Sequence, residues 1–262
     1  MELLGYIGAL CVGLILGLTG GGGSMLTVPI LVYIMFVNPV TATAYSLFIV
    51  GTTSIFGAFQ NFKKGYVDIK KGLLFAVPSF IGVYLTRSFI VPKIPNDIIT
   101  ISNFTLTKGT FLMVFFAVIM FLAAISMLRE KNSTNTENLT KEVPNSVIVL
   151  QTFLIGVIIG LVGAGGGFLI IPSLVFFAKL PMKKAIGTSL FIIAINSLIG
   201  FLGDVQNIHI DWNFLLIFTS ISILGIFIGT YLSKFINEKQ LKKLFAIFVL
   251  IMAFVILFKE LL

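Results

Sequence analysis

The fold turns on one stretch, Gly17-Leu18-Thr19-Gly20-Gly21-Gly22-Gly23-Ser24-Met25-Leu26-Thr27-Val28-Pro29. The chain returns to it as Gly160-Leu161-Val162-Gly163-Ala164-Gly165-Gly166-Gly167-Phe168-Leu169-Ile170-Ile171-Pro172. The match extends outward in register. Ser46-Leu47-Phe48 aligns with Ser189-Leu190-Phe191, Gly57 with Gly200, Val67-Asp68 with Ile210-Asp211, and Gly82 with Gly225. One such pair could arise by chance, but a series in register over most of each half marks a duplicated unit. The first unit covers residues 1–128 and the second 146–262. Between them, residues 129–145 read as a polar cytoplasmic linker carrying Asn132, Ser133, Thr134 and Asn135, a composition that favours flexibility.

Both units are apolar to a degree that soluble domains are not. Hydrophobic residues make up 58% of the 262-residue chain and charged residues 11%, against roughly a quarter charged in a typical soluble domain. Apolar segments fall at about 3–18, 24–37, 43–60, 72–91 and 109–128, then 146–161, 167–178, 185–203, 212–232 and 241–258. Several are long enough to cross a hydrocarbon core of ~30 Å as helix. Barrel strands would alternate polar and apolar residues, and Phe111 to Met127 does not. The expectation is an all-α polytopic membrane protein. The N-terminus lacks the basic start of a cleavable signal peptide and its apolar run leads into the repeated motif. Cys11, among Leu10, Val12 and Leu14, reads as a small packing residue. As the only cysteine, it allows neither an intrachain disulfide nor a thiolate metal cluster.

The first two segments of each unit flank the glycine run and are short for a full crossing at about 1.5 Å per residue. They form either one continuous span or a hairpin that enters and returns. Lys and Arg positions decide between these. With continuous spans the 18 basic residues divide eight against ten, whereas with hairpins they divide fourteen inside against four outside. Cytoplasmic loops carry an excess of Lys and Arg. The hairpin arrangement therefore follows, with two inverted repeats, each a Gly-broken hairpin plus three transmembrane helices, and both termini outside. The net charge of +8 then reflects cytoplasmic loops rather than nucleic-acid binding. The loop from Arg87 to Lys108, outside and net positive, runs against the rule.

Glycine reaches positive φ cheaply, so these runs can break a helix and expose backbone N–H groups. Inside a membrane such a break is tolerated only where protein buries it or where it lines a wet cavity. A helix beginning after each run, near Ser24 and near Gly167, presents unpaired N–H donors and a partial positive charge to an anion. Small residues also allow close helix packing, but two equivalent runs, each splitting an apolar segment, favour a site. The candidate substrate-binding set is Gly20, Gly21, Gly22, Gly23 and Ser24 with Gly163, Gly165, Gly166 and Gly167. Ser46, Thr53, Ser189 and Asn196 join it from the helices that follow. Thr53 and Asn196 are repeat equivalents, as are Ser54 and Ser197. Interhelical hydrogen bonding is the ordinary alternative role for such residues.

Several chemistries are disfavoured. The predicted spans contain no Asp or Glu, so a proton-relay carboxylate is missing. His209, the sole histidine, lies in a polar turn, which argues against a His-based metal site or a serine–histidine pair. Neither glycine run is followed by the Lys-Ser or Lys-Thr of a nucleotide loop. No catalytic residue, metal or cofactor is implied. Trp212 reads as an interface anchor and Arg87, ending a span, as a snorkelling side chain.

The paired motifs Gly17 to Pro29 and Gly160 to Pro172, with the helices led by Ala44-Tyr45-Ser46-Leu47 and Ile186-Gly187-Thr188-Ser189-Leu190, resemble the sulfite exporter TauE/SafE family of membrane transporters, also called TSUP or DUF81. The resemblance covers essentially the full chain and is specific as a pair. It differs between halves at Tyr45, where the second half has Thr188. It implies transport of sulfur-containing or carboxylated anions, such as sulfite or sulfonates, across a bacterial cytoplasmic membrane. The partners expected are a small anionic substrate, the lipid bilayer and, in some assemblies, a second copy of the chain. An anion channel and a non-transporting membrane scaffold or sensor are the alternatives.

Overall fold

A computed structural model of the chain describes residues 2–101, 104–129, 145–163, 165–206 and 208–261. Its helices are α1 (Glu2–Thr19), α2 (Gly22–Pro29), α3 (Pro39–Lys63), α4 (Ile69–Leu85), α5 (Lys108–Arg129), α6 (Asn145–Val162), α7 (Gly167–Phe176), α8 (Met182–Asp204), α9 (Trp212–Leu232) and α10 (Glu238–Leu261). Each apolar segment of the sequence became one of them. α2 and α4 run on through π-helical turns at Ile30–Ile34 and Thr86–Ile90. A small antiparallel pair, β1 (Asp97–Ile101) and β2 (Phe104–Thr107), precedes α5. It was not expected, although the β-branched run Ile98-Ile99-Thr100-Ile101 is a strand signal. Most of the linker, residues 130–144, lies outside the described residues.

Among the described residues five helices are long and apolar enough to cross a membrane: α3, α4 with its π turn, α5, α8 and α9. Large apolar side chains point outward along them and along α10, including Leu216, Leu224, Phe227, Phe254 and Phe258. Water does not tolerate so continuous an apolar surface, whereas lipid does. The chain is a multi-pass membrane protein. Cys11 also faces outward, so it lies on the outer face of α1 and is not the interior packing residue expected. Trp212 is 47% exposed and sets its edge against the rings of Phe48 and Phe201.

Helix starts follow local chemistry that the two halves share. Asp68 caps α4 by accepting from the Lys71 amide at 3.0 Å, and its equivalent Asp211 caps α9 by accepting from the Phe214 amide at 3.1 Å. Such a cap satisfies one of the helix's unpaired N–H groups. Each capping residue is tied to the other half. The Asp68 amide donates to Thr188 Oγ1 at 3.0 Å and the Asp211 amide to Tyr45 Oη at 2.7 Å. Tyr45 and Thr188, where the halves differ, therefore serve the same structural bond.

The glycine-flanked segments reverse direction. Gly5 packs on Met35, Gly8 on Ile30, and Gly23 on Val12 and Leu16, so α2 runs back along α1. In the second half Gly166 lies against Ile159. The far end of that hairpin is held where Lys71 Nζ donates to the Ala178 carbonyl at 2.7 Å. Equivalent residues Phe36 and Lys179, at φ 56° and 50°, follow the return arms.

Packing between the halves exchanges equivalent helices. α1 lies parallel to α9, with Ala9 beside Ser222 and Gly17 beside Gly229 and Thr230. α6 lies parallel to α4, with Gly156 beside Ser79 and Gly160 beside Val83 and Thr86. α3 and α8 pair with each other and run antiparallel. Leu47 meets Gly200, Gly51 meets Leu198, Gly57 meets Leu190 and Asn61 meets Gly187. Glycine at these crossings lets helix backbones touch. One end of the bundle gathers the loops and helix ends bearing Lys63, Lys64, Lys70, Lys71, Lys179, Lys183, Lys184 and Lys234. The other end carries Arg87, the β-hairpin, Asp204 and Asp211.

Candidate functional site

The two glycine runs meet. A Cβ on Gly21 would strike the backbone of Gly167, and one on Gly167 would strike Gly21 Cα. The start of α2 therefore touches the start of α7, with Gly21 and Gly166 in the N-cap positions. Gly20, Gly163, Gly165 and Gly166 all adopt positive φ, between 64° and 75°, the left-handed region that disfavours residues with a Cβ. The contact leaves no room for a ligand directly between Gly21 and Gly167. Unused hydrogen-bonding capacity lies beside it.

The first run is bonded from within and from α8. Thr19 Oγ1 accepts from the Gly22 amide at 2.8 Å, and Ser24 Oγ donates to the Gly21 carbonyl at 2.6 Å. Ser189 Oγ lies 2.8 Å from the Gly20 carbonyl and the same distance from that of Ile186. The second run has Val162 and Gly167 where the first has Thr19 and Ser24. Facing it across α3, α4 and α8 are Thr43, Val50, Arg87, Ile193 and Ser197. A Cβ on Gly165 would lie 3.0 Å from Ser197 Oγ.

Ser46, Thr53, Ser54 and Ser197 are fully buried, and none of their hydroxyls has a partner. A helical Ser or Thr can bond the carbonyl one turn back, as Thr230 and Ser173 do, so these four are unusual. Asn196 turns toward α4, where its Nδ2 donates to Ser79 Oγ at 2.7 Å, while its Oδ1 is unpartnered. A buried group without a partner costs about 1–3 kcal/mol.

Two sequence expectations change here. Arg87 does not snorkel. It is 0% exposed and ion-paired to Asp204, with Nη1 to Oδ2 at 3.0 Å and Nη1 to Thr43 Oγ1 at 3.1 Å. The spans do contain a carboxylate, because α8 continues to Asp204, which is buried. Arg87 and Asp204 are 117 residues apart and each closes an apolar segment, so only the tertiary fold reveals the pair.

At the lysine-rich end a cavity of about 320 Å³ opens between the halves, lined among others by Asn61, Lys64, Lys183, Ile186 and Lys234. Ile186 lies against Gly20, so this vestibule reaches toward the first glycine run. Partial burial and the nearby Lys234 ammonium push the Lys64 ammonium below its ordinary value, because two like charges in a shielded space disfavour protonation.

Residues 6–256 match the family described as sulfite exporter TauE/SafE. The chain belongs to this family. It is 29% identical over 254 residues to a "Probable membrane transporter protein" of Xylella fastidiosa, covering 95% of this chain and 92% of that one. It is 26% identical over 263 residues to "Probable membrane transporter protein YunE" of Bacillus subtilis, covering 92% and 91%. A third relative, "Probable membrane transporter protein MJ0441" of Methanocaldococcus jannaschii, is 36% identical over 110 residues, 40% of this chain and 41% of its own. No solved structure matches. In this TauE/SafE protein the glycine runs, α3 and α8 carry buried polar groups, joined by Ser79 and Arg87 from α4 and its π turn.

Proposed function

We propose that this protein is a secondary carrier of small oxyanions, such as sulfite or sulfonates, and that it works by alternating access. The observation that carries the reading is the group of unpartnered buried hydroxyls on α3 and α8, Ser46, Thr53, Ser54 and Ser197, with Ser197 against the second of two touching glycine runs inside an apolar bundle. Hydroxyl donors next to a helix N-terminus offer an anion hydrogen bonds without a full opposing charge. The family description, sulfite exporter, supports the substrate class.

The antiparallel pairing of equivalent helices α3 and α8 and the exchanged packing of α1 on α9 and α6 on α4 support two inverted repeats. Many carriers rock such halves about a central site. The lysine-rich end belongs in the cytoplasm by the positive-inside rule, and its vestibule admits the anion. An inside-negative potential then drives a monoanion outward by about 2.3 kcal/mol per 100 mV. A channel would need an unbroken path, and the backbone contact of Gly21 with Gly167 stands against one in this conformation.

The test is flux. Purified protein in liposomes loaded with labelled sulfite, methanesulfonate or acetate should release label when a potassium diffusion potential makes the lumen negative, and less when the potential is reversed. Silence across all three anions at both potentials would overturn the carrier reading.

A further inference from the structure

The Arg87–Asp204 pair has no counterpart in the other half. The repeat equivalents of Arg87 and Asp204 are Thr230 and Asn61, both neutral and each bonded to its own helix, Thr230 Oγ1 to the Ile226 carbonyl and Asn61 Nδ2 to the Gly57 carbonyl. A pair that merely joined two helix ends would be expected to use all its donors, since an unused N–H on a buried charge is costly. Arg87 does not. Its Nη1 makes both hydrogen bonds, to Thr43 and Asp204, while Nε and Nη2 are buried and unpartnered.

Nε and Nη2 share one edge of the guanidinium plane and form the fork that matches two oxygens of an oxyanion. That edge has a direction. A Cβ on Gly163 would collide with Nη2 and with Thr43, so Nη2 lies against the second glycine run. On α3, Ser46 sits one turn beyond Thr43, with its hydroxyl unpartnered.

We propose that Arg87 is the cationic anchor of the substrate site, holding a monoanionic sulfonate- or carboxylate-type oxyanion on its Nε–Nη2 edge beside Gly163. Asp204 and Thr43 orient the guanidinium through Nη1, and Ser46 supplies a neutral donor. This rests on the anion-carrier reading and narrows it, because the charge recognition belongs to the second glycine run and to the end of the bundle opposite the lysines.

The experiment pairs binding with flux. Thermal stabilisation of the purified protein by methanesulfonate is titrated for wild type, Arg87→Lys, Asp204→Asn and the double variant Arg87→Gln/Asp204→Asn, and the same proteins are assayed for flux. Arg87→Lys keeps the charge but loses the fork, so its apparent affinity should fall at least tenfold. Asp204→Asn keeps an acceptor for Nη1 but loses the ion pair that orients the guanidinium, so its affinity should fall by a smaller factor than that of Arg87→Lys. The double variant, a neutral pair of similar size, should fold and show no anion-dependent shift. Wild-type affinity and flux in either Arg87→Lys or the double variant would overturn this proposal while leaving the carrier reading intact. If wild type itself showed neither a shift nor flux with methanesulfonate, sulfite or acetate, both would fall.

Discussion

The two glycine runs share one sequence pattern yet are finished differently. Around the first, Thr19, Ser24 and Ser189 close hydrogen bonds onto the run's own backbone. Around the second, Val162 and Gly167 replace the first two, and the equivalent of Ser189 is Ser46, whose hydroxyl is unpartnered. Three glycines of the second run take positive φ against one of the first. The first run is thus held by Thr19 and Ser24 of its own and by Ser189 of α8, whereas the hydroxyls of Ser46 and Ser197 are unpartnered. We propose that the first run acts as a brace and that the second receives the anion.

The harshest way to break this comparison is to fill the second run. Gly163→Val and Gly165→Val force a β-branched residue into the left-handed region, at about 1–2 kcal/mol, and overpack it at a further ~1–3 kcal/mol. A Cβ introduced at Gly165 would meet Val50 and Ser197. Both variants should abolish flux while still inserting in the membrane, as read by flux and protease-accessible topology. Normal flux in both would remove the second run from the site.

A finer test separates the hydroxyls. Thr19→Val and Ser24→Ala should each lower stability by about 1 kcal/mol, because each leaves a bonded backbone group alone, with little change in KM. Ser46→Ala and Ser197→Ala remove groups that have no partner. They should leave the melting temperature equal or higher and raise KM for the anion several-fold. The reverse pattern would exchange the roles of the runs.

Much of this was legible in the chain. The helices among the described residues followed from unbroken hydropathy, and the placing of the lysines pointed to a reversal at each glycine run. The chemistry of the interior was harder to read. Thr53 and Asn196 stood out as polar equivalents, yet Asn196 spends its amide on Ser79 of α4, and Ser197, one residue on, is the one against Gly165. Neighbours on a helix differ by about 100° in direction, and an apolar sequence does not say which of two adjacent polar residues faces inward. The Arg87–Asp204 pair was hidden because a charge at a segment end snorkels as readily as it pairs.

Smaller effects probe the opposite end. Lys64 has its ammonium disfavoured by burial and by Lys234, and a bound anion would restore it. Capture in the vestibule should therefore be full at low pH and weaken as pH rises through the lowered value, before the ordinary lysine range near ~10.4. Lys64→Gln should lose that component of the pH profile of flux. Smallest of all, Asp68→Ala and Asp211→Ala remove equivalent helix caps and should each cost about 1 kcal/mol by thermal melting, by similar amounts in the two halves and without changing anion affinity.

The central claim, that the second glycine run is the open one, is tested most directly by one comparison of flux. Ser46→Ala/Ser197→Ala and Thr19→Val/Ser24→Ala would be reconstituted side by side with wild type, and the concentration dependence of methanesulfonate efflux measured at a fixed negative-inside potential. The account predicts a raised KM for the first double variant and a wild-type KM for the second despite its lower melting temperature. A wild-type KM in the Ser46→Ala/Ser197→Ala protein, with the KM raised in its counterpart, would contradict it.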